Sequence, residues 1–287
     1  MLCKAGYFEM IDYHIHTPLC RHSTGSMDDC VRYAVSTGMT EICFLDHLTI
    51  RPGKTAKSMD PTEVSLYFNA VQVLKDRYKN RIRIKGGLEV DFNPEVNGLI
   101  EALTNTFSFD VIAASIHFLG ELDIVSRSEA WIHAHMDPDL LYSRYLEQLR
   151  EMLTYDYFDL ICHIDLPKKF GKTFSGSFRS EMDDILSVIK KKGIAVEVNT
   201  SGYDHPIGEA YPSPDILAVC RKLGISITIG SDAHHPESIG KHFAKALAQI
   251  QKIGYKHLTA FSNRNPFKIR IADMVSSTLN SGCPKEI

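Results

Sequence analysis

The stretch Phe8-Glu9-Met10-Ile11-Asp12-Tyr13-His14-Ile15-His16 is a short apolar run that leads into two histidines, and five later runs lead into a similar residue. Residues 42–45 lead into Asp46-His47, 82–88 into Glu89 and 111–116 into His117. Residues 160–162 are followed by His163, and 225–230 by Asp232-Ala233-His234. A seventh run, 194–198, opens onto Asn199-Thr200-Ser201-Gly202 and carries no metal-ligand signature. Most of these runs are β-branched and almost continuously apolar, as parallel strands covered by helices are. Ligands far apart in sequence that sit at corresponding strand ends converge on one rim of a parallel barrel. The pattern therefore predicts a polynuclear metal site, and with it hydrolytic chemistry.

Helical signals alternate with the strands. They cover 27–37, 61–78, 94–103, 138–153, 181–192, 214–223 and 236–253. Several begin with proline, at Pro61, Pro94, Pro138, Pro214 and Pro236, and several stop at glycine, at Gly38, Gly193, Gly224 and Gly254. Proline just inside a start and glycine just past an end is the usual asymmetry. Seven β/α units with no linker, repeat or low-complexity stretch read as one α/β domain spanning 1–287, with the polar tail 276–287 frayed.

A chain of 287 residues, 44% hydrophobic, can bury a large core, and its net charge of −3 argues against coating nucleic acid by bulk charge. No run approaches the roughly 18 apolar residues of a spanning helix, and 1–6 is too short and weakly apolar for a signal peptide. The seven cysteines (Cys3, Cys20, Cys30, Cys43, Cys162, Cys220, Cys283) form no C-x-x-C pair. Scattered cysteines in apolar runs fit reduced thiols and a cytoplasmic location.

On a strand, residues i and i+2 face the same side, so His14 and His16 can chelate one ion. His133-Ala134-His135 has the same spacing without a preceding strand and reads as an ordinary loop pair. Asp232 and His234 form a second chelating pair, although Asp232 would also cap a helix starting at Pro236. Glu89 at a strand end can bridge two cations about 3.5–4 Å apart. His117 and His163 taken singly read as satisfied core histidines, and Asp46 beside His47 reads as a group that orients its ring. Their joint placement is what marks a site.

The ordered set H-x-H, a later His22, D-H, Glu89, S-I-H, C-H-I-D, E-V-N-T-S-G and S-D-A-H-H-P resembles the polymerase and histidinol phosphatase (PHP) superfamily over about 12–253. Within it the chain is most similar to the monofunctional histidinol-phosphate phosphatases. The resemblance implies a distorted seven-stranded (β/α)7 TIM-like barrel with three divalent metal ions. His14, His16, Glu89 and Asp232 would hold the first ion; Glu89, His117 and His163 the second; His22, His47 and His234 the third. Imidazole and carboxylate ligands suit zinc, manganese or iron. Glu89, Asp232 and His234 would be the catalytic residues, with a water acidified by the ions attacking phosphorus and expelling the substrate alkoxide. The implied reaction is hydrolysis of L-histidinol phosphate to L-histidinol and phosphate in histidine biosynthesis.

Substrate contacts are expected from Lys168 and Lys169, from Asn199 and from His205, with Glu197 or Asn199 either touching substrate or orienting a ligand. After N-T-S-G this chain continues Tyr203-Asp204-His205, placing an acid where the similar phosphatases carry a cation, which opens the substrate question. The alternatives are a nucleotide or sugar phosphatase, a nuclease accessory to a polymerase, or a metal-binding protein without catalysis. The expected partner is a small phosphorylated metabolite, with neither nucleic acid nor membrane.

Overall fold

A computed structural model describes residues 9–51, 57–126, 135–171 and 176–271. Seven strands form one sheet in the order β1 (Ile11–Ile15), β2 (Glu41–Leu48), β3 (Arg83–Asp91), β4 (Val111–Ser115), β7 (Leu160–Ile161), β8 (Ala195–Asn199) and β9 (Ile227–Gly230). Every neighbouring pair in that order is parallel. The ring closes just beyond the last strand, where Ile15 bridges Ala233 and His16 N–H donates to the Ala233 carbonyl at 2.9 Å. Asp12 fastens the same seam by accepting from the Ser231 backbone N–H at 2.9 Å and hydroxyl at 2.5 Å. The result is the expected seven-stranded (β/α)7 TIM-like barrel. Its distortion is visible at β7, where only two residues pair with each neighbour.

Seven α-helices flank the barrel among the described residues: α1 (Met27–Ser36), α2 (Val64–Tyr78), α3 (Asn97–Thr106), α4 (Pro138–Met152), α5 (Arg179–Lys192), α6 (Pro214–Leu223) and α7 (Phe243–Ile253). Local sequence sets their ends. Ser26 and Asp29 cap α1 reciprocally, Asp29 N–H donating to Ser26 Oγ at 3.1 Å and Ser26 N–H to Asp29 Oδ2 at 2.9 Å. Left-handed Gly193, Gly224 and Gly254 end α5, α6 and α7. Among the described residues, no helix is long and apolar enough to cross a membrane.

Three details depart from the sequence reading. The strands run through the ligand positions instead of stopping before them: His14 lies inside β1, His47 inside β2 and Glu89 inside β3. The helix expected over 236–253 is broken after a short 3-10 turn, because Gly240 and His242 adopt positive φ of 71° and 64°, and α7 starts only at Phe243. A C-terminal hairpin, β10 (His257–Ser262) and β11 (Asn265–Arg270), and a small one, β5 (Phe118–Leu119) and β6 (Leu122–Asp123), were not anticipated. In the first, the two-residue turn Asn263-Arg264 has φ of 48° and 67°, the left-handed pair such turns require. The tail 276–287, His133, Cys3 and Cys283 lie outside the described residues. Cys20, Cys30, Cys43, Cys162 and Cys220 are buried free thiols.

Candidate metal centre

The nine candidate ligands meet at the rim formed by the strand C-termini, where barrels of this type build their sites. β2 and β3 pair His47 directly with Glu89, and the His47 Nδ1 to Glu89 Oε2 distance is 2.6 Å. Glu89 is wholly buried at the centre of the group. Its Oε1 lies 2.8 Å from His163 Nε2 and 3.5 Å from His117 Nε2, and its Oε2 lies 3.5 Å from His14 Nε2. Asp232 Oδ1 is 2.9 Å from His16 Nε2 and 3.9 Å from His14 Nε2. His22, His47 and His234 form a third cluster, with the His22 and His234 rings 4.4 Å apart.

The imidazoles are aimed. His14 Nδ1 lies 2.6 Å from Glu197, His16 Nδ1 3.2 Å from Asp46, His22 Nδ1 2.7 Å from the Cys20 carbonyl and His234 Nδ1 3.0 Å from the Asp232 carbonyl. An acceptor at Nδ1 fixes the tautomer that presents Nε2 to an ion. Four of the six buried side-chain atoms without a hydrogen-bond partner among the described residues belong to this group: His14 Nε2, His163 Nδ1, His234 Nε2 and Glu89 Oε2. Buried polar atoms are rarely left unpaired, so the donor set and its open atoms fit divalent metal ions. Two candidate ligands also sit in strained backbone, His163 at φ 29° and Asp232 at φ 56°. Such conformations cost about 1–3 kcal/mol each and gather at functional sites. Gly230 makes room beside them: a Cβ there would strike Glu197 Oε1 and the His14 Cβ.

Electrostatics separate the roles. Burial pushes the Glu89 carboxyl up, but the facing imidazoles of His47, His117 and His14 outweigh it and hold the group well below the usual range. Asp232 is lowered in the same way, with His14 and His16 opposing burial. Burial, reinforced by neighbouring histidines, drives His117 and His234 well down and His22 to about 4. These rings are neutral at pH 7, the form that ligates.

The PHP domain family model matches residues 12–201, about two thirds of the chain. The chain belongs to the PHP family. A probable histidinol-phosphatase of Deinococcus radiodurans is 31% identical over 256 residues, covering 87% of this chain and 96% of that protein. The histidinol-phosphatase of Lactococcus lactis is 27% identical over 258 residues, covering 88% and 94%. A crystal structure of the Lactococcus lactis histidinol phosphate phosphatase, complexed with zinc, L-histidinol and phosphate, superposes with a TM-score of 0.79 at 25% identity. It covers 91% of this chain and 99% of its own.

In this PHP barrel the rim opens into a cleft of about 1110 Å³ lined by His22, His47, His117, His163, Asp232 and His234. Lys169 and His205 also line it. Lys168 does not. It is 2% exposed, and its Nζ bonds to Asp165 at 3.0 Å, Glu209 at 2.8 Å and the Ala210 carbonyl at 2.8 Å. Adjacent residues of a tight 3-10 turn point in different directions, so Lys168 is a buried structural cation while Lys169 faces the cleft. Asn199 is likewise wholly buried, with its amide committed to Glu197, Asp232 and Ser201, an arrangement that fits the ligand-orienting alternative and not a substrate contact. Asp46 orients His16 and not His47, because consecutive residues on a strand face opposite sides.

Two cleft residues escaped the sequence reading. Lys241 and His242 come from the loop after β9 and hold Asp204 at 2.8 and 3.0 Å. Burial raises the Asp204 carboxyl, and the bonds and charges of Lys241 and His242 together outweigh it and lower it. Their only sequence signal is position, in a βα loop following a ligand-bearing strand.

Proposed function

We propose that this chain is a metal-dependent phosphomonoesterase that hydrolyses L-histidinol phosphate to L-histidinol and phosphate. The observation that carries this is the convergence of seven imidazoles and two carboxylates on one rim, with His14 Nε2, His234 Nε2 and Glu89 Oε2 buried there without a hydrogen-bond partner. The Lactococcus lactis relative, solved with zinc and both products, supplies the substrate for this reading.

His14, His16, Glu89 and Asp232 would hold one ion, Glu89, His117 and His163 a second, and His22, His47 and His234 a third. Bound there, zinc, manganese or iron ions would supply Lewis acidity and a water acidic near neutral pH. The chain's own part is to fix that geometry. Glu89 faces four histidines, His14, His47, His117 and His163, and so would tie the first two ligand groups together. Asp232 brings His16 to the same centre. Lys169, held by the Val125 carbonyl at 3.0 Å, and Lys241 offer cations at the cleft wall for phosphate oxygens. Asp204, already paired with Lys241 and His242, contributes a local charge balance instead of repelling the substrate. His205, whose Nδ1 lies 3.0 Å from the Tyr211 hydroxyl, lines the cleft and would contact the substrate there. Reduced buried thiols agree with work in the cytoplasm.

The test is phosphate release from L-histidinol phosphate by metal-reconstituted protein, beside nucleotide and sugar phosphates. A strong preference for histidinol phosphate supports the reading. Metal-dependent turnover of the others with histidinol phosphate ignored overturns the substrate.

A further inference from the structure

β8 is the barrel strand without a candidate ligand, yet it carries two of the most buried polar side chains at the rim. Glu197 and Asn199 are both 0% exposed. Glu197 Oε1 lies 2.6 Å from His14 Nδ1 on β1, while its Oε2 accepts from the His163 backbone N–H at 3.1 Å and from Asn199 Nδ2 at 3.1 Å. The same Asn199 amide reaches Asp232 Oδ2 beyond β9 at 3.3 Å. Asn199 is held in turn, its Oδ1 accepting from the Ser201 N–H at 3.0 Å and hydroxyl at 2.7 Å. One connected path therefore runs from the His14 ring through Glu197 and Asn199 to the Asp232 carboxylate.

We propose that Glu197 and Asn199 are positioning residues that fix His14 and Asp232 relative to one another and thereby set the affinity of the ion those two groups share. The proposal rests on the ligand assignment above. A carboxylate at position 197 is required because both of its oxygens must accept. Glutamine cannot satisfy both sides. With its amide nitrogen toward His14, the ring must accept at Nδ1 and carry its proton on Nε2, closing the metal-facing atom. With the nitrogen turned the other way, it meets the His163 and Asn199 donors.

The experiment is zinc competition against a chromophoric chelator on metal-free protein, with no substrate present. Glu197→Gln is expected to weaken one zinc equivalent about 10–100-fold. The other equivalents and the melting temperature of the metal-free protein should stay near wild type, which a merely structural role would not produce. Asn199→Ala is expected to weaken the same equivalent about 10-fold. Wild-type zinc affinity at every equivalent in Glu197→Gln overturns the proposal; should that variant fail to fold, unchanged affinity in Asn199→Ala overturns it. Because zinc binding is the readout, a protein that ignores histidinol phosphate but shows the selective loss would sink the proposed substrate and leave the brace standing.

Discussion

Where the barrel strands begin, Asp110 accepts from Lys75 at 2.7 Å, from the Gly86 N–H at 3.0 Å and from the Asn263 N–H at 3.2 Å. Asp159 takes Arg264 and the Ile112 N–H, and Glu41 takes the Tyr13 hydroxyl at 2.5 Å and Arg83 at 2.7 Å. Every one of these carboxylates is matched, and the hairpin β10–β11 supplies part of the match. Where the strands end, the rim instead packs seven imidazoles around two carboxylates and leaves four buried atoms open. Buried polar groups occur at both ends. What distinguishes them is completeness: a satisfied network holds structure, whereas an open one is stable only if something else fills it.

Changing each end in turn gives different readouts. Glu89→Gln or His117→Ala at the open rim should lower phosphatase activity by at least about 100-fold, with circular dichroism and melting of the metal-free protein unchanged. Full activity in both variants would break the contrast. Arg264→Ala at the closed end takes one donor from Asp159, which keeps the Ile112 N–H, and takes the arginine donor from the Tyr157 carbonyl. It should cost about 2 kcal/mol of stability, read as a lower denaturation midpoint, with kcat and bound metal unchanged. Loss of metal there would show that the two ends are coupled. The smallest effect concerns thiols that border the rim. Cys20 lies within ligating reach of His16 and His234, but burial above all pushes its thiol up to about 12. A raised pKa means the thiolate forms only as pH climbs toward that value, so in the metal-free protein at pH 7–8 the group is a protonated thiol. Cys20→Ser should keep its full metal content by elemental analysis; one equivalent lost would bring sulfur into the centre.

The open rim was legible because its signals are periodic and local. His14-x-His16 declares a shared face by spacing alone, Asp232-x-His234 marks the end of the last strand, and the alternation of apolar runs with capped helices points to the barrel. What stayed hidden depends on contacts between distant segments. Asp46 turns to His16 across the β1–β2 pair and Lys168 folds into Glu209, 41 residues away. Lys241 and His242 reach Asp204 only because a left-handed turn delays α7. The closing hairpin was hidden for a different reason: its turn uses Asn263-Arg264, and arginine gives little hint of positive φ.

The most direct test of a metal-built rim is to strip the protein with chelator and titrate zinc or manganese back while following phosphate release from L-histidinol phosphate. The account predicts negligible turnover without metal, activity rising with added equivalents to a plateau near three, and no recovery in Glu89→Gln. Full turnover by the metal-free protein would contradict it.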